Sequence, residues 1–183
     1  MSVMSPIAPP LLRRLTVAQG DSLASSDANV VFTTVLGSCV AVCLHDGRAG
    51  VGGMNHFLLA DPPAMANEDV RLLNRYGVHS MEILINAMLQ RGATRRNLKA
   101  RIYGGATMRQ GLGEIGNNNI LFARRFLDNE KIPILGEDVA GVSARRIEFR
   151  PAAGLSRCKT VTTQPIEQIV KVFPPPGGDV ELF

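Results

Sequence analysis

The chain has 183 residues, 45% of them apolar and 20% charged, with a formal net charge of +4. That length supports one domain with a sizeable core rather than two full ones, and no apolar run approaches the roughly 18 residues that would span a bilayer. Sixteen of the twenty basic residues are arginine, but the Arg pairs at 13/14, 95/96, 124/125 and 145/146 are dispersed. With few aromatics between them, they argue against a nucleic-acid surface and suit an acidic protein partner.

The N-terminus carries three prolines within ten residues and lacks the basic start and apolar middle of a secretory signal. A cytoplasmic protein is expected, with Cys39, Cys43 and Cys158 as free thiols. Residues 1–16 read as a flexible extension, 17–161 as one domain and 162–183, with Pro174-Pro175-Pro176-Gly177-Gly178, as a tail that is in part disordered.

Val30 to Val35 is rich in β-branched residues and reads as a strand, broken by Leu36-Gly37-Ser38. Val40 to Leu44 forms a second strand, His45 to Gly50 a tight reversal, and Val51 to Leu59 a third strand with a bulge or close backbone approach at Gly52-Gly53. Together they look like a meander. Apolar spacing predicts a helix from Glu68 to Arg91, interrupted near Gly77 and ended by Gly92. Lys99 to Tyr103 reads as a strand leading into Gly104-Gly105. Asn118 is a candidate cap for a second helix through Asn129. Pro133 onward is expected to be strand, Arg145 to Arg150 to lie near a sheet edge, and Arg157 to Val161 to add a last strand. Strands mixed with about two helices predict an α/β or α+β sandwich.

Hairpin geometry gives Cys39 a companion. A reversal around Asp46–Ala49 sets Cys39 opposite His56; one centred on Asp46-Gly47 sets it opposite Met54, with His56 diagonal on the same face. A cysteine beside a histidine is a nucleophile with a base, and the Gly37-Ser38 bend suits an oxyanion site built from backbone N–H groups. Thr33, Thr34, Ser38 and Asn55 are candidates to orient the imidazole. The competing reading is a buried packing cysteine. For zinc at Cys39-x3-Cys43-x-His45, one strand cannot supply both sulfurs, since four strand residues span about 13 Å whereas two thiolates on one zinc lie within about 4 Å, and Cys43 with His45 lacks two further ligands at a familiar spacing. The glycines at 104, 105, 111, 113 and 116 match neither a P-loop nor a dinucleotide fingerprint.

Thr33 and Leu36-Gly37-Ser38-Cys39-Val40, followed by Met54-Asn55-His56, resemble the CheD family of chemoreceptor glutamine deamidases. Gly104-Gly105-Ala106-x-Met108 with Ile115-Gly116-x-Asn118-Asn119 is similar to the family's middle motif, and Gly136 to Gly141 with Arg145-Arg146-x-x-Phe149 to its last block. The resemblance implies a cofactor-free Cys-His-Thr protein-glutamine glutaminase on a three-layer α/β sandwich related to bacterial toxin deamidases. Carried over by position, Cys39 is the nucleophile, His56 the base and Thr33 its orienting residue. Thr34 is able to substitute, although alternation with Cys39 favours Thr33. Gly37, Ser38 and Asn55 are expected to line the oxyanion or substrate site. Chemoreceptor cytoplasmic helices are the expected substrate, and a CheC-type phosphatase is a further partner the resemblance implies. No nucleic acid and no membrane insertion are expected. A non-catalytic adaptor of the same fold, regulating such a phosphatase, is the alternative.

Overall fold

The structure is a computed structural model that describes residues 11–59, 67–107 and 113–161. The tail after 161, Arg109 and Gly111 lie outside those residues. Among the described residues, nine strands run in chain order with two main helices: β1 (Arg13–Thr16), β2 (Ser22–Ser25), β3 (Val30–Leu36), β4 (Val40–Asp46), β5 (Val51–Asn55), α1 (Asn67–Leu89), β6 (Leu98–Gly104), α2 (Gly113–Asn129), β7 (Ile134–Val139), β8 (Ala144–Arg150) and β9 (Leu155–Val161).

The strands form two mixed sheets, ordered β1-β3-β8-β9 and β2-β5-β4-β6-β7. Both helices pack on the five-stranded sheet, α1 on β2 and β5, and α2 on β4 and β6. The alternation along β4 shows why three layers result. Val40, Val42 and Leu44 join Met81, Leu84, Ile85 and Phe122 in a core on the helix side. Ala41 and Cys43 face the other way, into a second core with Phe32, Leu36, Ile147 and Phe149 of the four-stranded sheet. One strand with two buried faces thus joins helices, sheet and sheet.

Several expectations change. Arg13–Thr16 is no loose extension: it pairs in parallel with β3 from Arg13↔Val30 to Thr16↔Thr33. The meander does not form, because β3 belongs to the other sheet and only β4 and β5 make a hairpin. Leu36-Gly37-Ser38 is therefore a corner between sheets rather than a break within one. Gly77 leaves α1 uninterrupted; a Cβ there would meet the ring of Phe122. The second helix starts at Gly113, so Asn118 lies inside it instead of capping it. Strand β8 is interior, with β9 taking the edge.

Gly52 packs against the Pro151 backbone, leaving no room for a side chain. The β4–β5 reversal is closed by Asp46, which is fully buried and accepts from the N–H groups of Arg48, Ala49 and Thr94. Burial raises its carboxyl pKa, but these N–H groups and the Asn97 amide outweigh that and hold it below the usual carboxylate range.

Candidate active site

The hairpin register runs from Asp46↔Val51 to Cys43↔Met54, and an isolated bridge continues it at Val40↔Phe57. Ala41 therefore stands opposite His56, and Cys39, two residues earlier, is diagonal to His56 on the same face. The pairing is shifted from both registers considered above, but it keeps their parity. That face points into the gap between the sheets, where Ala41 and Met54 are buried.

His56 is held from several sides. Its N–H donates to the Asp21 carbonyl at 3.1 Å, and its carbonyl accepts from Gly20 N–H at 2.7 Å. Gly20 takes φ +94° in the tight turn that makes both contacts possible. The ring Nδ1 lies 3.0 Å from Thr34 Oγ1 and 3.3 Å from the Val17 carbonyl. Thr34 Oγ1 donates its one proton to that same carbonyl at 2.9 Å. A carbonyl only accepts, and the threonine oxygen has a lone pair left, so both contacts call for a proton on Nδ1. Nε2 then carries the free lone pair. It is buried, and among the described residues it has no hydrogen-bond partner.

The threonine on His56 is Thr34, which corrects the expectation of Thr33. In β3, Val30, Phe32 and Leu36 face the inner core, so Thr34 shares their side and Thr33 points outward, opposite Glu148 of β8. Parity with Cys39 misled because alternation does not carry through the Leu36–Ser38 corner into another sheet. Asn55 is also reassigned. It faces the helix layer, where Oδ1 accepts from Val42 N–H at 2.9 Å and Nδ2 donates to Ser80 Oγ at 3.3 Å; its polar atoms are engaged away from Cys39.

The Gly37-Ser38-Cys39 bend presents its carbonyls to the scaffold. Gly37 O accepts from Ala106 N–H at 2.8 Å, Cys39 O from Gly105 N–H at 2.7 Å, and Ser38 O from Asn119 Nδ2 at 2.9 Å. Gly104, at φ +103°, approaches the Cys39 carbonyl so closely that a Cβ would collide with it. The glycine-rich motif thus gives the bend a place to sit.

Cys39 is partly exposed, and its thiol donates to Gln19 Oε1 at 3.4 Å. Burial pushes the thiol above its ordinary pKa, opposed by a smaller effect of its own backbone N–H. Burial also lowers the His56 pKa, against opposing effects of the Val17 carbonyl and the Asp21 charge. Both shifts disfavour ions, so the resting pair is a neutral thiol and a neutral imidazole. Cys43 is fully enclosed and its thiol pKa is raised by burial. Cys158 is raised to about 12, first by burial and then by Asp138. Among the described residues no three His, Cys, Asp or Glu side chains gather as a metal site requires.

Sequence reasoning missed Val17, Gln19 and Asn119. They come from a loop and a helix remote in sequence from the Cys-His pair; no local pattern marks Val17 or Gln19, and the motif that contains Asn119 carries no signal of its contact with the bend.

Residues 58–160 match the family model described as CheD chemotactic sensory transduction. A protein of Zymomonas mobilis named "Probable chemoreceptor glutamine deamidase CheD" is 54% identical over 172 residues, covering 93% of each chain. A Caulobacter vibrioides protein of the same name is 48% identical over 176 residues, again covering 93% of both. The crystal structure of Neisseria meningitidis NMB0706 is a distant likeness, with TM-score 0.43 at 12% identity over 71% of this chain and 63% of that one. The family match spans more than half of the sequence, and the relatives extend it across nearly all of it: the chain belongs to the CheD family.

Proposed function

We propose that this protein is a chemoreceptor glutamine deamidase, converting glutamine side chains on the cytoplasmic helices of bacterial chemoreceptors to glutamate, with Cys39 as nucleophile, His56 as base and Thr34 as the residue that orients it. The observation that carries the catalytic assignment is the buried Nε2 of His56, unpaired among the described residues, on an imidazole whose Nδ1 is held by Thr34 and Val17. The names of the relatives support the substrate class.

The chemistry follows from the neutral resting pair. As Cys39 Sγ attacks the amide carbon, His56 Nε2 takes the thiol proton, so the thiolate exists only as the bond forms. The carbonyl oxygen becomes an oxyanion beside the bend. His56 returns the proton to the amide nitrogen, the C–N bond breaks and ammonia leaves, with a thioester on Cys39. Water then attacks the thioester, giving one proton to His56 and its oxygen to the acyl carbon; the C–S bond breaks, His56 returns that proton to Cys39 Sγ, and the new acid releases its remaining proton to solvent as carboxylate. Both half-reactions are acyl transfers that use the same base.

None of the described helices is long and apolar enough to cross a membrane, which is compatible with action at the cytoplasmic part of a receptor. The test is the mass of a purified chemoreceptor cytoplasmic fragment after incubation with wild-type or Cys39→Ala protein. Each deamidated glutamine adds about 1 Da as amide becomes acid. Gain with the wild type and none with Cys39→Ala supports the reading; equal gain with both removes Cys39 from it, and gain with neither removes the activity.

A further inference from the structure

Asn119 has no assigned role, yet it is fully buried and uses both ends of its amide across the site. Nδ2 donates to the Ser38 carbonyl at 2.9 Å, and Oδ1 accepts from Leu59 N–H at 2.8 Å. One side chain from α2 thus ties the residue before Cys39 to the segment three residues after His56.

The hydrogen bond to Ser38 O has a directional consequence. In a trans peptide the C=O and the following N–H point in opposite directions. With Gly37 O drawn to Ala106 and Ser38 O drawn to Asn119, the N–H groups of Ser38 and Cys39 turn the other way. Among the described residues neither donates to another residue, the Cys39 N–H lying beside its own thiol, whereas the next N–H, of Val40, is engaged with Phe57 O. Two adjacent donors at the nucleophile, with no acceptor on another described residue, are what a developing oxyanion needs.

We infer that Asn119 is a positioning residue for deamidation: by holding the Ser38 carbonyl it aims the Cys39 N–H at the oxyanion of the tetrahedral intermediate, beside the Ser38 N–H that the Gly37–Ala106 bond aims, and through Leu59 it keeps the bend in register with the His56 segment. The inference rests on the deamidase reading. Gly105 and Ala106 hold the neighbouring carbonyls through backbone N–H groups, so Asn119 is the side chain through which the oxyanion site is open to substitution.

Two reactions of Cys39 separate this role from a structural one. Acyl transfer develops an oxyanion, whereas alkylation by iodoacetamide displaces iodide at a saturated carbon and develops none. In Asn119→Ala, deamidation of the receptor fragment should fall about 100-fold in kcat with little change in KM, as expected for loss of an aimed oxyanion donor. Alkylation of Cys39 should stay within about threefold of wild type by the same reasoning. If Asn119→Ala does not fold, Asn119→Ser, whose short side chain cannot span both partners, is read in the same assays. Unchanged deamidation, or parallel loss of deamidation and alkylation, overturns the inference. A wild-type protein that alkylates but never deamidates instead points to failure of the underlying deamidase reading.

Discussion

Thr34 Oγ1 lies 3.0 Å from His56 Nδ1, joining a strand of the four-stranded sheet to the end of a strand in the five-stranded one. The contact fixes the tautomer that leaves Nε2 free, and Thr33, its neighbour in sequence, faces outward. Thr34→Val should therefore lower the deamidation rate by about 100-fold, in the range of a displaced general base, while Thr33→Val stays near wild type. Rates measured by mass on a receptor fragment decide between them; equal loss in both variants would remove the distinction.

The lowered His56 pKa has an effect on stability as well as on catalysis. Between the folded-state pKa, which burial lowers, and the ordinary imidazole value of about 6.5, the unfolded chain binds a proton that the folded one does not. Stability from this residue is complete above pH 6.5, falls as pH drops through the window and levels off below the folded-state pKa. Melting temperatures of wild type and His56→Gln, compared at pH 7.5 and 5.5, should show the wild type losing more on acidification. The acid limb of kcat/KM should lie below pH 6.5 for the same reason.

Gln19 lies over the nucleophile, with Oε1 3.4 Å from Cys39 Sγ. Its side chain is at the surface, so its removal costs little packing. Gln19→Ala should make Cys39 react with iodoacetamide a few-fold faster, since access and thiolate formation govern such reactivity. Cys43 should stay unreactive in both proteins because it is enclosed. Peptide mapping of the alkylated cysteines reads both outcomes, and an unchanged Cys39 rate would show that Gln19 does not shield it.

Gly104 is required both by its backbone and by its surroundings, with φ +103° and the Cys39 carbonyl where a Cβ would go. Gly104→Ala should cost about 2 kcal/mol or more in denaturant unfolding, combining left-handed strain with the collision. Because the displaced atom belongs to the nucleophile, deamidation by the folded fraction should fall as well. Gly92→Ala, also at positive φ but with open space around it, should cost less and leave the rate unchanged.

Much of the fold was legible wherever the pattern is local. Val40, Val42 and Leu44 alternate as a strand with one face on the helices, and the register parity that puts Cys39 with His56 follows from the length of a short hairpin. The amphipathic period from 68 to 91 gave α1 within two residues. The strands β1 and β2 were missed because they are four residues each and are stabilised by partners distant in sequence rather than by a pattern of their own.

The sequence by itself determined that Cys39 and His56 share one face of the hairpin, along with the Gly-Ser bend and the motifs that resemble the CheD family, because these depend on residue type, spacing and a tight turn. The tertiary structure alone decided which threonine meets the histidine, since β3 leaves through a corner for a second sheet and side-chain alternation does not survive that turn. It also decided that Asn55 belongs to the helix layer and that Asn119 reaches the bend from α2. Contacts made across layers depend on how sheets and helices pack, and no spacing along the chain encodes them.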